Sequence, residues 1–232
     1  MLRRQSRVFL VMALLLCAPL AGGQVRTPGA GESSDLFLVL VNQTTGRSEV
    51  IDLGPVDAVV AVAGRWMLDG RYAVRLGPGR LTYQLLAADL SAQGPNGFAG
   101  STLYVSAGSA SERLMTPRVW TSFGIVTAVS VADSQLAAAA HDFKPLGGHL
   151  VLRSRGSPAT NWGPLNARIA APGRELGMAG FDATGEVGRE LAFYRVVAGA
   201  KDFADDATGR VTLLGRFLLK GTVLKFSPLP VP

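Results

Sequence analysis

The stretch DLFLVLVNQTTGRSEVIDL, residues 35–53, decides the fold class. Asp35 to Val41 is a compact apolar run, Thr44-Thr45-Gly46 has turn chemistry, and Ser48 to Leu53 reads as the returning strand. Two short β-prone runs on either side of a glycine-bearing turn are the signature of a hairpin. The same grammar recurs along the chain. Short apolar runs fall at Val56 to Ala63, Leu81 to Ala88, Thr102 to Ser106, Gly124 to Val131 and His149 to Arg153. Three more follow at Leu191 to Val197, Val211 to Phe217 and Thr222 to Phe226. Arg71 to Leu76, with arginines at 71 and 75, reads as a further, alternating strand candidate, and Gly77-Pro78-Gly79 breaks it.

The 28 glycines and 13 prolines fall mostly between these runs, as in the stretch Ser91 to Gly100, which reads as a loop. Many short strands with glycine-rich punctuation predict an all-β chain, here an antiparallel β-sandwich of jelly-roll or immunoglobulin-like type over residues 35–227. One segment breaks the pattern. Ala132 to Asp142 carries possible caps at Asp133 and Ser134 and then four consecutive alanines, so a short helix is expected near 132–142. Asp-Ala-Thr-Gly occurs twice, at Asp182–Gly185 and Asp206–Gly209. Each copy sits between apolar runs, which suits a turn that uses glycine for positive φ.

Upstream of the hairpin the composition changes. Arg3, Arg4 and Arg7 precede the unbroken apolar run Val8 to Leu16, and Ala21-Gly22-Gly23 supplies small residues. This is the build of a secretory signal over residues 1–23, with cleavage between Gly23 and Gln24. The apolar core is shorter than the roughly 20 residues that a permanent membrane helix needs. Residues 24–34, rich in Gly, Ser and Pro, form a disordered lead-in, and residues 228–232 a proline-rich tail.

Removing residues 1–23 takes three of the 23 basic residues and none of the 17 acidic ones, so the net charge falls from +6 to +3. The only cysteine, Cys17, leaves as well, and the exported domain must be held by core burial without disulfides. The arginines are scattered singly and no basic run survives, so nucleic acid is not expected as a partner.

The chemistry-bearing residues form no familiar constellation. His141 and His149 are the only histidines and lack the i, i+4 spacing of a zinc pair, so no metal and no cofactor are expected. Asp202, Asp205 and Asp206 form the densest acidic cluster but lack the alternating ligands and closing Glu of a calcium loop. No nucleophile elbow, Ser-x-x-Lys, phosphate loop or dinucleotide fingerprint occurs. The Asn42-Gln43-Thr44 sequon lies in the hairpin turn and reads as turn chemistry. Among the tryptophans, Trp120 and Trp162 are candidates for stacking on a glycan, set against ordinary packing for these and for Trp66. A hydrolase using Glu175, Asp182 or Glu186 would need two of these carboxylates to converge in a cleft.

Several of these phrases together are similar to a family of exported betaproteobacterial proteins that carry a PEP-CTERM sorting tail. Ser34-Asp35-Leu36, Thr45-Gly46-Arg47-Ser48 and Asp52-Leu53-Gly54 resemble the family's first hairpin, and Gly79 to Tyr83 with Ala87-Ala88-Asp89 its next strand. Val187-Gly188, Leu191 to Tyr194, Val211 to Leu219 and Gly221 to Leu224 resemble its closing strands. Members end in a Val-Pro-Leu-Pro-like motif, an apolar helix and an Arg-rich terminus, whereas Ser227-Pro228-Leu229-Pro230-Val231-Pro232 stops where that tail begins. Anchoring by that route is therefore not expected of this chain. The resemblance implies an extracellular or matrix-associated module without catalytic residues. The expectation is thus a secreted, non-enzymatic β-sandwich protein, periplasmic or extracellular, with extracellular polysaccharide or other surface proteins as partners. A glycan-binding module is the alternative, and a hydrolase stands behind it.

Overall fold

A computed structural model describes residues 34–89, 100–120, 125, 129, 144–146, 149–154, 182–199 and 209–229, with the backbone alone described for 144–154. The signal segment with Gly23 and Gln24, the lead-in up to residue 33, the helix expected near 132–142 and the last residues of the tail lie outside these.

Eleven antiparallel strands make one sheet among the described residues. They are β1 (Asp35–Asn42), β2 (Ser48–Pro55), β3 (Gly64–Met67), β4 (Leu81–Asp89), β5 (Thr102–Ala107) and β6 (Lys144–Leu146). The others are β7 (His149–Ser154), β8 (Gly185–Glu186), β9 (Glu190–Val197), β10 (Arg210–Lys220) and β11 (Val223–Pro228). Their spatial order is β3-β11-β10-β9-β5-β4-β1-β2-β7-β6, with β8 added to β4. The sheet curls into a nearly closed, barrel-like form. The opening hairpin stands as read: β1 and β2 pair with Leu38 opposite Ile51 and Val41 opposite Ser48. Gly46 takes a φ of 66° in the turn between them.

The curl explains why the first strand is apolar without alternation. Leu36, Leu38 and Leu40 point to the concave face, where they meet Tyr83, Leu85, Phe193, Phe217, Leu219, Leu224 and Phe226. Phe37, Val39 and Val41 point to the convex face, into a second core with Leu86, Val105, Trp120, Val196 and Ile125. A strand covered on both faces needs apolar side chains at successive positions, as central strands of buried sheets do. On the concave side Phe193 meets Phe217 edge-on, with ring centroids 5.1 Å apart.

Two short helices close the ends of the curl, at places where the sequence pattern suggested strand or gave no helix signal. Helix α1 (Val56–Ala61) follows Pro55 at the end of β2 and buries Val56 and Val59. Helix α2 (Tyr72–Leu76) occupies the segment whose alternation predicts a strand. Its buried residues are Tyr72 and Leu76, spaced i, i+4, and six residues of alternation do not separate a period of 2 from one of 3.6. Gly77, at φ 87°, ends it. Ile125 and Val129 are helical as well, four residues apart and buried in the convex core, which overturns the strand expected over Gly124 to Val131.

The two Asp-Ala-Thr-Gly copies do not use their glycines as expected, because neither Gly185 nor Gly209 has positive φ. A Cβ on Gly185 would lie 2.6 Å from Leu191 Cδ2, and one on Gly209 would lie 2.9 Å from the Trp120 carbonyl oxygen. Both glycines are there for close approach rather than for backbone conformation.

Candidate functional site

Several buried polar side chains of the described residues bind the chain's own backbone. Asn42, wholly buried at the end of β1, donates from Nδ2 to the carbonyls of Leu76 (3.2 Å), Gly77 (2.9 Å) and Pro78 (3.1 Å). Its Oδ1 accepts from the amides of Thr44 (2.8 Å) and Thr45 (3.0 Å). The side chain of the sequon asparagine is therefore a clip between the first turn and the end of α2. Ser106 Oγ donates to the Ala183 carbonyl at 2.6 Å and accepts from the Leu85 amide at 2.9 Å. It sits where β4 passes from pairing with β5 to pairing with β8.

At the α2 end of the curl, Arg75 reaches Glu49, whose side chain is 1% exposed, with Nε 2.9 Å from Oε2. A second nitrogen of the same guanidinium meets Asp69. Hydrogen bonding to Glu49 raises the Arg75 pKa further, and the Arg71 backbone amide, followed by Arg75, holds the Asp69 carboxyl below its usual range. This group locks α2 onto β2. Both carboxylates are engaged by the one guanidinium, so the group offers little to a ligand.

The opposite end carries the stronger candidate. Tyr104 on β5 and Arg195 on β9 are direct cross-strand partners on the concave face. Along β9 this face runs Leu191, Phe193, Arg195, so a cation takes the place where the apolar series would continue. The Arg195 guanidinium hydrogen-bonds the Tyr104 hydroxyl, and its Nε–H is buried without a hydrogen-bond partner. Asp57, in the first turn of α1, and Asp89, at the end of β4, lie close enough to act on the Tyr104 hydroxyl. Burial, assisted by Asp57, raises the Tyr104 pKa, so the phenol stays protonated through the physiological range. The result is a hydrogen-bonded guanidinium and phenol, with two carboxylates within electrostatic reach of the phenol, at a barrel end, where small ligands commonly bind.

The residues singled out from the sequence do not assemble here. Trp120 is 1% exposed in the convex core, and its carbonyl accepts from the Gly209 amide at 2.9 Å. A ring with no solvent-facing side cannot stack on a glycan, so the platform expected of Trp120 is replaced by core packing. Trp66, on β3, is half-buried with its ring 6.2 Å from that of Phe217. Asp182 is exposed and accepts from the Thr184 amide (2.8 Å) and hydroxyl (2.7 Å), a local turn. Glu186 pairs with Arg80 at 2.8 Å on the surface. Trp162, Glu175, His141, Asp202, Asp205 and Asp206 lie outside the described residues, as does the side chain of His149 on β7. Sequence reasoning passed over Tyr104 and Arg195, although an arginine at an inward position of an apolar strand was the available signal. Among the described residues no three acidic, histidine or cysteine side chains gather as a metal site. No helix there is long and apolar enough to cross a membrane. Compared with known proteins, the chain matches no family model, no curated protein and no solved structure.

Proposed function

We propose that this chain is an exported, non-enzymatic β module that works at the cell surface or in an extracellular matrix. In this reading the halves of its sheet are opposed as in a sandwich, with β1, β2 and β4 facing β9, β10 and β11 across the concave core. One observation carries the non-enzymatic part: three of the most deeply buried polar side chains are spent on scaffold. Asn42, Tyr83 and Ser106 all bond backbone groups of distant segments, whereas a catalytic group keeps its hydrogen-bonding capacity for a substrate. The N-terminal segment, with its three arginines and apolar run, supports export.

Expression of the full chain in a Gram-negative host, followed by fractionation and N-terminal sequencing, tests the reading. The expected product begins at Gln24 and is found in the periplasm or the medium. A cytoplasmic product that still begins at Met1 would overturn it.

A further inference from the structure

The outer face of the strands at one end of the sheet carries charges that the fold does not use. β3 pairs with β11 so that Arg65 stands directly opposite Lys225, with Trp66 and Leu224 turned to the other, concave side. β11 pairs with β10 so that Lys225 is opposite Leu218 and Val223 is opposite Lys220. Strand alternation therefore puts Arg65, Lys225, Lys220 and Met67 on one outward face. All four are exposed, Met67 to 56%. Arg65, Lys225 and Lys220 form no ion pair among the described residues. The neighbouring Arg216 does, forking onto Glu112 at 3.0 and 3.2 Å. The nearest acid in the Arg65–Lys225 row is Glu190, beyond Leu218, two strand spacings or about 10 Å from Lys225.

Like charges placed directly opposite in an antiparallel pair destabilise it. A lysine or arginine on an edge strand has a plain use, because it discourages pairing with another sheet. That use accounts for Arg65 on β3, the end strand of the sheet order, but not for Lys225, which stands on a strand already paired on both sides. The repulsion would be relieved by an anion bridging the two cations, and the exposed Lys220 extends the same field along the face.

We propose that the β3–β11–β10 face binds a carboxylate-bearing polysaccharide through Arg65, Lys225 and Lys220. The choice of a polysaccharide rests on the exported-module reading; the anionic character rests on the face itself. Three cations make a weak electrostatic site whose affinity grows with each anionic group neutralised, and for an exported module the anionic polymer within reach is a polysaccharide.

The purified full chain is tested in vitro, so a failure of export leaves the test intact. The probes are sodium polygalacturonate, neutral dextran and a single-stranded oligodeoxythymidine. Binding is expected to polygalacturonate and not to dextran, and to weaken with salt. The double variant Arg65→Gln/Lys225→Gln is expected to lose about ten-fold in affinity at low salt, and its log affinity should depend on log salt with a slope shallower by about one to two. Its Tm should be unchanged or higher, since the like-charge pair is gone. The exchange Arg65→Lys/Lys225→Arg should retain binding, and Lys220→Gln should weaken it. Unchanged binding in the double variant would sink the proposal, as would polygalacturonate binding no better than dextran. Oligodeoxythymidine bound more tightly, with the same salt dependence, would replace the polysaccharide with nucleic acid. A double variant that only aggregates, with polygalacturonate binding of its soluble fraction intact, would reduce the charges to edge protection.

Discussion

The Tyr83 hydroxyl donates to the Arg189 carbonyl at 2.6 Å, joining β4 to the turn before β9 across the concave core. The Phe217 carbonyl lies 3.0 Å from the same oxygen, and the Leu219 amide donates to it at 3.3 Å. Residues more than a hundred positions apart are thus joined through one buried phenol. Tyr83→Phe keeps the ring and strands the backbone groups that met the hydroxyl, and each buried polar group left unpaired costs about 1–3 kcal/mol. Urea unfolding should show a loss of that size with an unchanged m-value, and equal stability would remove Tyr83 as a tie.

Alkaline titration should reach the same residue. Burial pushes the Tyr83 pKa above its ordinary 10.0, so the folded state holds the proton more tightly than the unfolded one. Stability from this group is complete below pH 10 and is lost as pH rises from there through the folded-state value. Tyr72, Tyr104 and Tyr194 are raised by burial as well and act in the same direction. The free energy of unfolding is expected to fall between pH 9.5 and 11.5, and less steeply in Tyr83→Phe. A flat profile would contradict the burial of these phenols.

Gln84 presents the opposite case. It is 1% exposed on the convex face of β4, opposite Val39, and neither end of its amide has a hydrogen-bond partner. A buried amide without partners is a cost that an apolar isostere avoids. Gln84→Met is expected to stabilise the fold by about 1–2 kcal/mol. Thermal and urea unfolding provide the measurement, and destabilisation would mean that the amide is bonded after all.

Much of the sheet was legible from its strands, and the reason lies in burial. β1, β4, β5, β9 and β10 are covered on one or both faces, so their residues had to be apolar over runs bounded by Gly, Pro or Asn, and those runs stand out unaided. The parts that escaped are short or held by distant contacts. β3 has four residues and pairs only with β11, some 160 positions later; β8 has two. α2 hid because Tyr72 and Leu76 fit either period. The curl itself comes from which strands pair, and pattern cannot tell a sandwich from a barrel when both bury alternate residues. The site fared worse for a related reason. Tyr104 and Arg195 meet through register, and nothing in either strand's sequence names the other as its partner. Trp120 was picked for its side chain alone, and its depth is a property of the packing around it.

The close-approach glycines offer a check on that packing. Gly209 donates from its amide to the Trp120 carbonyl at 2.9 Å, and an added Cβ would crowd that oxygen and the Ile125 side chain. Forcing an extra methyl into such a contact costs about 1–3 kcal/mol. Gly209→Ala should lower Tm accordingly. Gly188→Ala, at a glycine with a φ of 95° and no atom near its Cβ position, isolates the cost of backbone conformation instead. Combining Gly209→Ala with Ile125→Val should recover part of the loss, because the smaller side chain yields space. No recovery would place the strain on the backbone oxygen alone.

Asn42 allows donor and acceptor roles to be separated at one position. Its amide nitrogen faces three carbonyl oxygens and its amide oxygen faces two backbone amides, so only an asparagine oriented in this way serves both sides. Asn42→Ala removes both sets. Asn42→Asp keeps the acceptor for Thr44 and Thr45 but puts a second oxygen against the carbonyls of Leu76, Gly77 and Pro78. At neutral pH that oxygen is charged and buried among acceptors, so the aspartate variant should lose about 2–4 kcal/mol and be no more stable than the alanine variant. Protonation would restore one donor. The introduced carboxyl therefore has a folded-state pKa raised above the roughly 3.9 of an unfolded aspartate. Its folded form binds the proton more readily, and the variant should gain stability relative to wild type as pH falls from 7 to 5. Equilibrium unfolding of the three proteins at both pH values decides the matter, and an aspartate variant that does not gain on the wild type would show that the nitrogen's three carbonyl contacts are dispensable.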